Sequence, residues 1–430
     1  MREYPLLDCT EKYHSIMVFD KNKDVLVHRW YPFVEGYSKE FIEDILQELP
    51  FTPQCALEPF CGSGTTPVEL QNHDISCYSF EVSPFMHLLA KVKLERTYDE
   101  KKLVCYRNKV VGSLSKPKSD IRELESIPFG DTVIRKEGIK KWNFHDTTLD
   151  GILDIRHAIR TEVDNERYKD LFTIALSSII LDMSNLFRNG KCLSYRNGWE
   201  TRVHDRKEVH QRFLNKLDTV ILEDIRIISS QPVNVCNSDM CYYGDVRKNI
   251  DKVPDNSLDL IITSPPYLNS RDYTDIYMLE LKVLQLVNSY EDLRNLRENT
   301  LRSHVQVKYG EVKTINNLRL KQCLSDMKGS KAKSWNSDIL NMICGYFLDM
   351  QQLFSAFSRK MCKGGVIYFN VANSAYFGVE VPVDFIIGDI AEEYGFTVRE
   401  IRKARDIKTS PQQSELVGKL RESVIVMDKR

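Results

Sequence analysis

In Cys55-Ala-Leu-Glu-Pro-Phe-Cys-Gly-Ser-Gly-Thr-Thr66, a short apolar strand ends in an acid and is followed by a glycine loop and the start of a helix. Glycines let a loop approach a ligand closely, and the free N–H groups of a helix N-terminus favour an anionic group there. The next apolar segment, from Ile75 to Glu81, also ends in an acid, which is placed to accept hydrogen bonds from two ribose hydroxyls. This arrangement predicts an α/β sheet with a nucleoside-containing ligand at its strand ends.

A second informative strand end lies in Asp259-Leu-Ile-Ile-Thr-Ser-Pro-Pro-Tyr267. Proline has no N–H to donate and fixes φ, so the strand stops there and its last residues are held rigidly. A serine, free backbone carbonyls and an aromatic ring at a strand end suit the binding of a planar base through its exocyclic amine. We expect this turn near the glycine loop, because ligands of α/β sheets bind outside the carboxyl ends of the strands.

The glycine loop alone fits two classes of ligand. A dinucleotide site is one of them, but its fingerprint has a third glycine where this chain has Thr65-Thr66. A methyl-donor site is the other. The acid that ends the next strand and the Ser-Pro-Pro-Tyr turn together favour the methyl donor.

Both stretches together resemble the S-adenosylmethionine-dependent amino-methyltransferases of DNA, specifically the N4-cytosine type. The resemblance rests on Glu58-Pro-Phe-Cys-Gly-Ser-Gly-Thr-Thr66 and Thr263-Ser-Pro-Pro-Tyr267. Five further segments are similar to motifs of bacterial DNA modification methylases: Tyr31-Pro-Phe-Val34 with Gly36-Tyr-Ser38, Gly244-Asp-Val-Arg247, Leu301-Arg-Ser-His304, Asn373-Ser-Ala-Tyr376 and Leu420-Arg-Glu-Ser423. One departure is Glu58, where the family usually has Asp, so the charge is kept on a longer side chain.

The resemblance implies an α/β fold, a Rossmann-like class I methyltransferase sheet with a large, mainly helical insertion. About two hundred residues separate the glycine loop from Ser264, far more than a simple βαβαβ passage needs. We therefore expect the cofactor loop in residues 1–85 and a helical insertion at 86–230, the candidate target-recognition region. Residues 231–430 would complete the catalytic domain, with strands near 233–237 and 258–263 and a basic insertion at about 290–336.

The resemblance also implies the cofactor and the residues that hold it. S-adenosylmethionine is expected as the methyl donor, with no metal. The residues carried over from the family's motifs are Tyr31, Ser38, Glu58, Phe60, Gly62, Gly64, Thr65, Glu81 and Asp245. In that reading Glu81 binds the ribose, Asp245 binds the adenine amine, and most of the others surround the methionine end.

The catalytic residues expected from the family are those of the second motif: Ser264, Pro265, Pro266 and Tyr267. Ser264 Oγ and the Pro265 carbonyl would accept the amino hydrogens of the target, and Tyr267 would stack on the base, an interaction of about 1–3 kcal/mol. A duplex base is out of reach, so it has to be flipped out. In the family, serine at position 264 favours cytosine N4; adenine N6 and RNA remain open alternatives. Weaker candidates for DNA or base contact are Arg302, Ser303 and Asn373.

The composition is that of a globular protein. The chain has 430 residues, 42% of them hydrophobic and 28% charged, which predicts two or three domains. No apolar N-terminal block predicts a signal peptide, and the most apolar stretch, residues 171–183, is too short to span a bilayer. The 11 cysteines include no Cys-x-x-Cys pair, which predicts reduced thiols, a cytoplasmic location and no structural zinc.

The charge distribution bears on the expected partners. The 60 basic and 61 acidic side chains nearly cancel, yet basic residues are in excess within 101–141, 188–216 and 294–333. Local basic faces can bind phosphates, so double-stranded DNA is the expected partner, with a cognate restriction endonuclease as a further candidate. A non-catalytic DNA-binding regulator that retains the fold is the alternative from another class, and the intact Ser-Pro-Pro-Tyr turn disfavours it.

Overall fold

The computed structural model describes residues 2–190, 192–231, 233–269, 271–330, 338–409 and 415–430. The strands are β1 (Leu6–Asp8), β2 (Cys55–Glu58), β3 (Ser76–Glu81), β4 (Leu186–Asn189), β5 (Cys192–Tyr195), β6 (Cys241–Tyr243), β7 (Leu258–Thr263), β8 (Met361–Ala372), β9 (Ser374–Tyr376), β10 (Val379–Val381), β11 (Phe396–Lys408) and β12 (Lys419–Lys429). The α-helices are α1 (Thr10–Tyr13), α2 (Lys39–Glu48), α3 (Thr65–Asn72), α4 (Pro84–Leu94), α5 (Glu100–Leu114), α6 (Ile121–Leu124), α7 (Asp146–Glu162), α8 (Glu166–Met183), α9 (Arg206–Lys216), α10 (Leu222–Ile228), α11 (Val246–Asn249), α12 (Met278–Val283), α13 (Tyr290–Asn299), α14 (Leu318–Gly329), α15 (Ile339–Lys360) and α16 (Val383–Glu393).

An eight-stranded sheet forms the centre of the molecule, in the order β6-β3-β2-β7-β8-β12-β11-β1. Strands β6, β3, β2, β7 and β8 run parallel, and β12 is antiparallel to its neighbours β8 and β11. The middle of β7 is an unbroken apolar run, as expected for a parallel strand covered on both faces. The predicted α/β class is confirmed: the fold is mixed α/β with a large, mainly parallel sheet, consistent with a class I methyltransferase.

The point that matters for function lies between β2 and β7. The chain places β3 on one side of β2 and, much later, β7 on the other side. Where the strand order reverses in this way, the connections leave in opposite directions and a crevice opens at the carboxyl ends of the strands. The glycine loop follows β2 and the Ser-Pro-Pro-Tyr turn follows β7, so both border that crevice.

Between β3 and β6 the chain forms helices α4 to α10 and the β4–β5 hairpin. The boundary predicted after residue 85 falls inside α4, a helix that packs on the sheet strands β3 and β6 and also on α8. One buried apolar cluster joins Trp30 and Phe85 to Leu153 of α7 and Phe172 of α8. These helices therefore share their core with the N-terminal segment and with α4.

The strand predicted near 233–237 is wrong, since within the described residues the sheet edge beside β3 is β6. Asn237 supplies the physical reason. Its Oδ1 accepts the N–H of Cys77 at 2.9 Å, and its Nδ2 donates to the carbonyls of Pro67 and Ile75, both at 3.1 Å. A buried side chain thus makes, at the edge of β3, hydrogen bonds that the backbone of another strand would otherwise provide.

The basic insertion predicted at about 290–336 contains α13 and α14. Its residues 331–336 lie outside the described part of the chain. Among the helices of the described ranges, none combines the length and the apolar character needed to cross a membrane.

Candidate active site

The two sequence motifs open into one cavity. It has a volume of about 1350 Å³, including its opening to solvent, and lies beyond the carboxyl ends of the parallel strands. Gly62, Glu81 and Asp245 line one part of it, and Ser264 and Tyr267 line another. The glycine loop and the Ser-Pro-Pro-Tyr turn are therefore neighbours in space, although the helical segment separates them in the chain.

The glycine loop owes its shape to two residues with positive φ. Gly62 has φ +49° and Gly64 has φ +83°, a backbone region that other residues rarely adopt. A Cβ on Gly64 would lie 3.0 Å from the Cβ of Ala90 in α4, so the loop also packs too closely for a side chain. Gly64 and Thr65 lie outside the cavity lining, where they form the turn into α3.

Glu81 connects β3 to the glycine loop. Its carboxylate accepts the N–H of Gly62 at 2.9 Å through Oε2 and the N–H of Ser83 at 2.8 Å through Oε1. Burial raises the pKa of Glu81 to about 7. Each carboxylate oxygen has a second lone pair, so this residue can still accept a hydroxyl hydrogen from a ligand in the cavity.

Asp245 and Phe60 also line the cavity, as predicted. Asp245 caps α11 by accepting the N–H of Arg247 at 2.9 Å, and the guanidinium of Arg247 binds the same carboxylate at 2.9 Å. The ion pair fixes the side chain at the strand end after β6. Asp245 is therefore a rigid acceptor on the far side of Glu81 from the Ser-Pro-Pro-Tyr turn.

Glu58 does not line the cavity, which differs from the expected contact with a methionine amino group. Its Oε1 accepts from Thr263 Oγ1 at 2.6 Å and from the N–H of Phe60 at 3.0 Å. Its Oε2 accepts from Tyr37 at 2.8 Å and from Thr66 at 3.2 Å. Burial raises the pKa of this carboxyl to about 7. Glu58 instead ties the glycine loop to the end of β7.

Tyr31 and Ser38 also lie outside the cavity lining, contrary to the expectation that they contact the methionine tail. Tyr31 is buried and donates to Glu280 Oε1 at 2.6 Å, and Ser38 donates to the carbonyl of Ile16 at 3.1 Å. The segment between them does line the cavity, through residues 33–37. The motif thus located the right segment, but these two side chains are turned into the core.

The Ser-Pro-Pro-Tyr turn is held by residues that the sequence did not single out. The hydroxyl of Tyr267 donates to Glu422 Oε1 at 2.8 Å and accepts from Asn370 Nδ2 at 2.7 Å. Burial and the nearby carboxylate raise the pKa of Tyr267 well above its usual value. Asn370, Glu422 and Arg405 all line the cavity. The ring of Tyr267 is therefore fixed in place as one wall of the site.

A signal for Glu422 was present in the alternation of β12. Sequence pattern alone suggested that residues 421–423 pin the closing hairpin, and two of them do. Arg421 Nε and Ser423 Oγ donate to Asp384 Oδ2 at 2.6 and 2.9 Å. Because successive side chains of a strand point to opposite faces, Glu422 between them has to point the other way, toward the cavity.

The three weaker candidates for DNA contact separate. Ser303 lines the cavity. Arg302 is engaged elsewhere, with its guanidinium 2.7 Å from Asp349 Oδ1, which disfavours a free phosphate contact. Asn373 is buried outside the cavity lining, where it donates to Glu380 Oε1 at 2.9 Å and accepts a backbone N–H of α16. In the described ranges, no group of three or more His, Cys, Asp or Glu side chains could hold a metal ion.

Comparison with known proteins gives relatives of one kind. The chain is 25% identical to the type II methyltransferase M.BsoBI of Geobacillus stearothermophilus, over 99% of its own length and 90% of that protein. It is 26% identical to M.AvaI of Anabaena variabilis over 90% of the chain and 82% of the relative, and 23% identical to M.MvaI of Kocuria varians over 87% and 82%. No protein-family model matches the chain. Type II DNA methyltransferases use S-adenosylmethionine as the methyl donor.

Proposed function

We propose that this protein is a site-specific DNA methyltransferase of a restriction–modification system, which methylates the N4 amine of a flipped cytosine in double-stranded DNA. The observation that carries the proposal is the common cavity of the glycine loop and the Ser-Pro-Pro-Tyr turn. Similarity to type II methyltransferases over nearly the whole chain supports the reaction and the DNA substrate. Ser264 in the second motif supports cytosine N4 as the atom.

The glycine-loop end of the cavity fits the methyl donor. S-adenosylmethionine supplies an electrophilic methyl group on a positively charged sulfur, which keeps the electron pair of the broken C–S bond. Glu81 would accept from the ribose hydroxyls, and Asp245 from the adenine amine. Gly62 lies between Glu81 and the ring of Phe33, where a Cβ would come within 3.0 Å of Phe33 Cζ, so the loop presents bare backbone to the ligand.

The other end of the cavity suits an exocyclic amine. The N4 amine of cytosine is a poor nucleophile because its lone pair is delocalised into the ring. Ser264 Oγ and the Pro265 carbonyl would accept its two hydrogens and turn the lone pair toward the methyl carbon. Orientation of the two reactants then supplies much of the rate, and the extra proton on nitrogen leaves to water. The step needs no covalent bond to the enzyme.

Target recognition is assigned to the helices between β3 and β6. They are the largest part of the chain that the sheet does not require, and they share a core with α4, which begins two residues after the cavity-lining Val82. Basic side chains in 101–141 and 188–216 would neutralise backbone phosphates. Base contacts from the same region would then select the sequence.

Hydrolysis of the reaction product to nucleosides tests the proposal. The purified protein is incubated with labelled S-adenosylmethionine and genomic DNA or RNA, and the nucleosides are separated. Label in N4-methyldeoxycytidine is the expected result. Label in N6-methyldeoxyadenosine would support the adenine alternative, and a protein that binds the donor and DNA without transfer would support the regulator. Modification-sensitive sequencing of DNA from expressing cells would then give the recognised site.

A further inference from the structure

Asn370 is the residue of the cavity that the proposed chemistry does not yet use. It lies in β8 immediately after Phe369, which pairs with Thr263 of β7, so Asn370 stands beside Ser264 on the adjacent strand. Its Nδ2 is 3.2 Å from Ser264 Oγ and 2.7 Å from the hydroxyl of Tyr267. The side chain is 2% exposed. Asn370 therefore sits between the two side chains of the catalytic turn.

The orientation of the Asn370 amide is fixed by a carboxylate. Glu422 Oε1 lies 3.2 Å from Asn370 Nδ2, and Glu422 Oε2 is held at 2.6 Å by the Nε of Arg405. A carboxylate accepts hydrogen bonds and does not donate them, so it is the amide nitrogen that faces Glu422. Asn370 Oδ1 then points away from the Glu422–Arg405 ion pair. Glu422 and Arg405 are positioning residues for this amide.

Asn370 Oδ1 is a buried acceptor that has no hydrogen-bond partner within the described residues. Leaving such an atom unpaired is unfavourable, and buried polar groups are nearly always paired, so an unpaired one at a ligand cavity indicates a partner from outside the chain. The partner has to be a donor. At the edge of cytosine that carries N4, the amine is the donor, and in adenine the N6 amine is the equivalent.

We propose that Asn370 contacts the target base directly, with Oδ1 accepting a hydrogen from the exocyclic amine. This assignment rests on the proposed function. Ser264 Oγ and Asn370 Oδ1 then form a pair of side-chain acceptors on neighbouring strands, with the Pro265 carbonyl beside them. A base that carries a carbonyl in place of the amine would oppose two acceptors, so Asn370 also discriminates between cytosine and uracil or thymine.

The test compares variants at position 370 by single-turnover methyl transfer at saturating donor and DNA. Asn370→Leu keeps the volume and removes both polar atoms. We expect its rate to fall at least tenfold, which corresponds to about 1.4 kcal/mol, with donor affinity within twofold of wild type. Asn370→Asp keeps an oxygen acceptor and should recover part of the rate. Asn317→Ala is the matched control, because it removes another buried asparagine amide, at the start of α14 and outside the cavity.

A second readout separates a base contact from a structural role. Duplexes carry pyrimidin-2-one, which lacks the amine, at the target position, and their binding is compared with that of the cytosine duplex. We expect wild type to prefer cytosine and Asn370→Leu to lose at least threefold of that preference, while Asn317→Ala keeps it. If Asn370→Leu does not fold, Asn370→Ser, whose side chain is shorter, takes its place with the same expectation.

Two failures are distinguishable. Unchanged preference and a rate within twofold of wild type in a folded position-370 variant would overturn the assignment of Asn370 alone. A wild-type protein that transfers no methyl group to DNA would overturn the proposed function, and this assignment with it.

Discussion

Replacing Glu81 by glutamine should weaken donor binding selectively. The carboxylate accepts two backbone N–H groups, at 2.9 and 2.8 Å, and the glutamine side chain has only one oxygen to replace the two. One N–H of the loop would face an NH2 group, and one acceptor for the ribose would be lost. A hydrogen bond to a charged group contributes about 1.5–3 kcal/mol, so we expect the dissociation constant for S-adenosylmethionine to rise by roughly 10- to 150-fold.

Isothermal titration of the purified variant with S-adenosylmethionine measures this directly. Asp259→Asn is the matched control, because Asp259 likewise accepts two backbone N–H groups, from Gln54 at 2.7 Å and Cys55 at 3.2 Å, at the opposite edge of the sheet. The control should lose comparable stability and keep its donor affinity. If Glu81→Gln binds the donor within twofold of wild type, or if Asp259→Asn weakens it as much, the ribose role of Glu81 is refuted.

Three further predictions concern the same site. Gly64→Ala should destabilise the protein by about 1–3 kcal/mol, because alanine is strained at φ +83° and its Cβ would crowd α4; a denaturant titration measures the loss. The pKa values of Glu58 and Glu81 are raised to about 7 from 4.5, so the folded state holds more protons between these values. The unfolding free energy of the cofactor-free protein should therefore fall as pH rises from about 4.5 to 7, by at most ~1.4 kcal/mol per pH unit for each group, and Glu58→Gln should flatten that slope. Ser264→Ala combined with Tyr267→Ala should reduce methyl transfer at least 100-fold, as roughly 3 kcal/mol of base contacts would be lost; unchanged transfer would show that the base pocket lies elsewhere.

The parts of the site that the sequence predicted are those encoded locally. A glycine loop after a strand and a proline pair after another strand each specify their own backbone. Parallel strands then bring their carboxyl ends to one edge, which is why Gly62, Glu81, Asp245 and Ser264 meet although they are far apart in the chain.

The parts that the sequence missed depend on packing between distant segments. Tyr31 is turned into the core by Glu280 of α12, a partner that no local pattern announces. Asn370 and Glu422 reach the cavity through the register of β8 with β7 and of β12 with β8. A one-residue shift in either register would point these side chains to the opposite face, and strand sequences alone do not fix the register.

The buried carboxyl group of Glu58 has a consequence for how the enzyme can move. Through Thr66 it holds the first turn of α3, and through Thr263 it holds the residue that precedes Ser264. The two substrate-facing loops thus behave as one rigid jaw whose gap is preset before anything enters. Any gating of access has to come from surrounding segments, since opening the jaw itself would break a four-membered set of hydrogen bonds in the centre of the sheet.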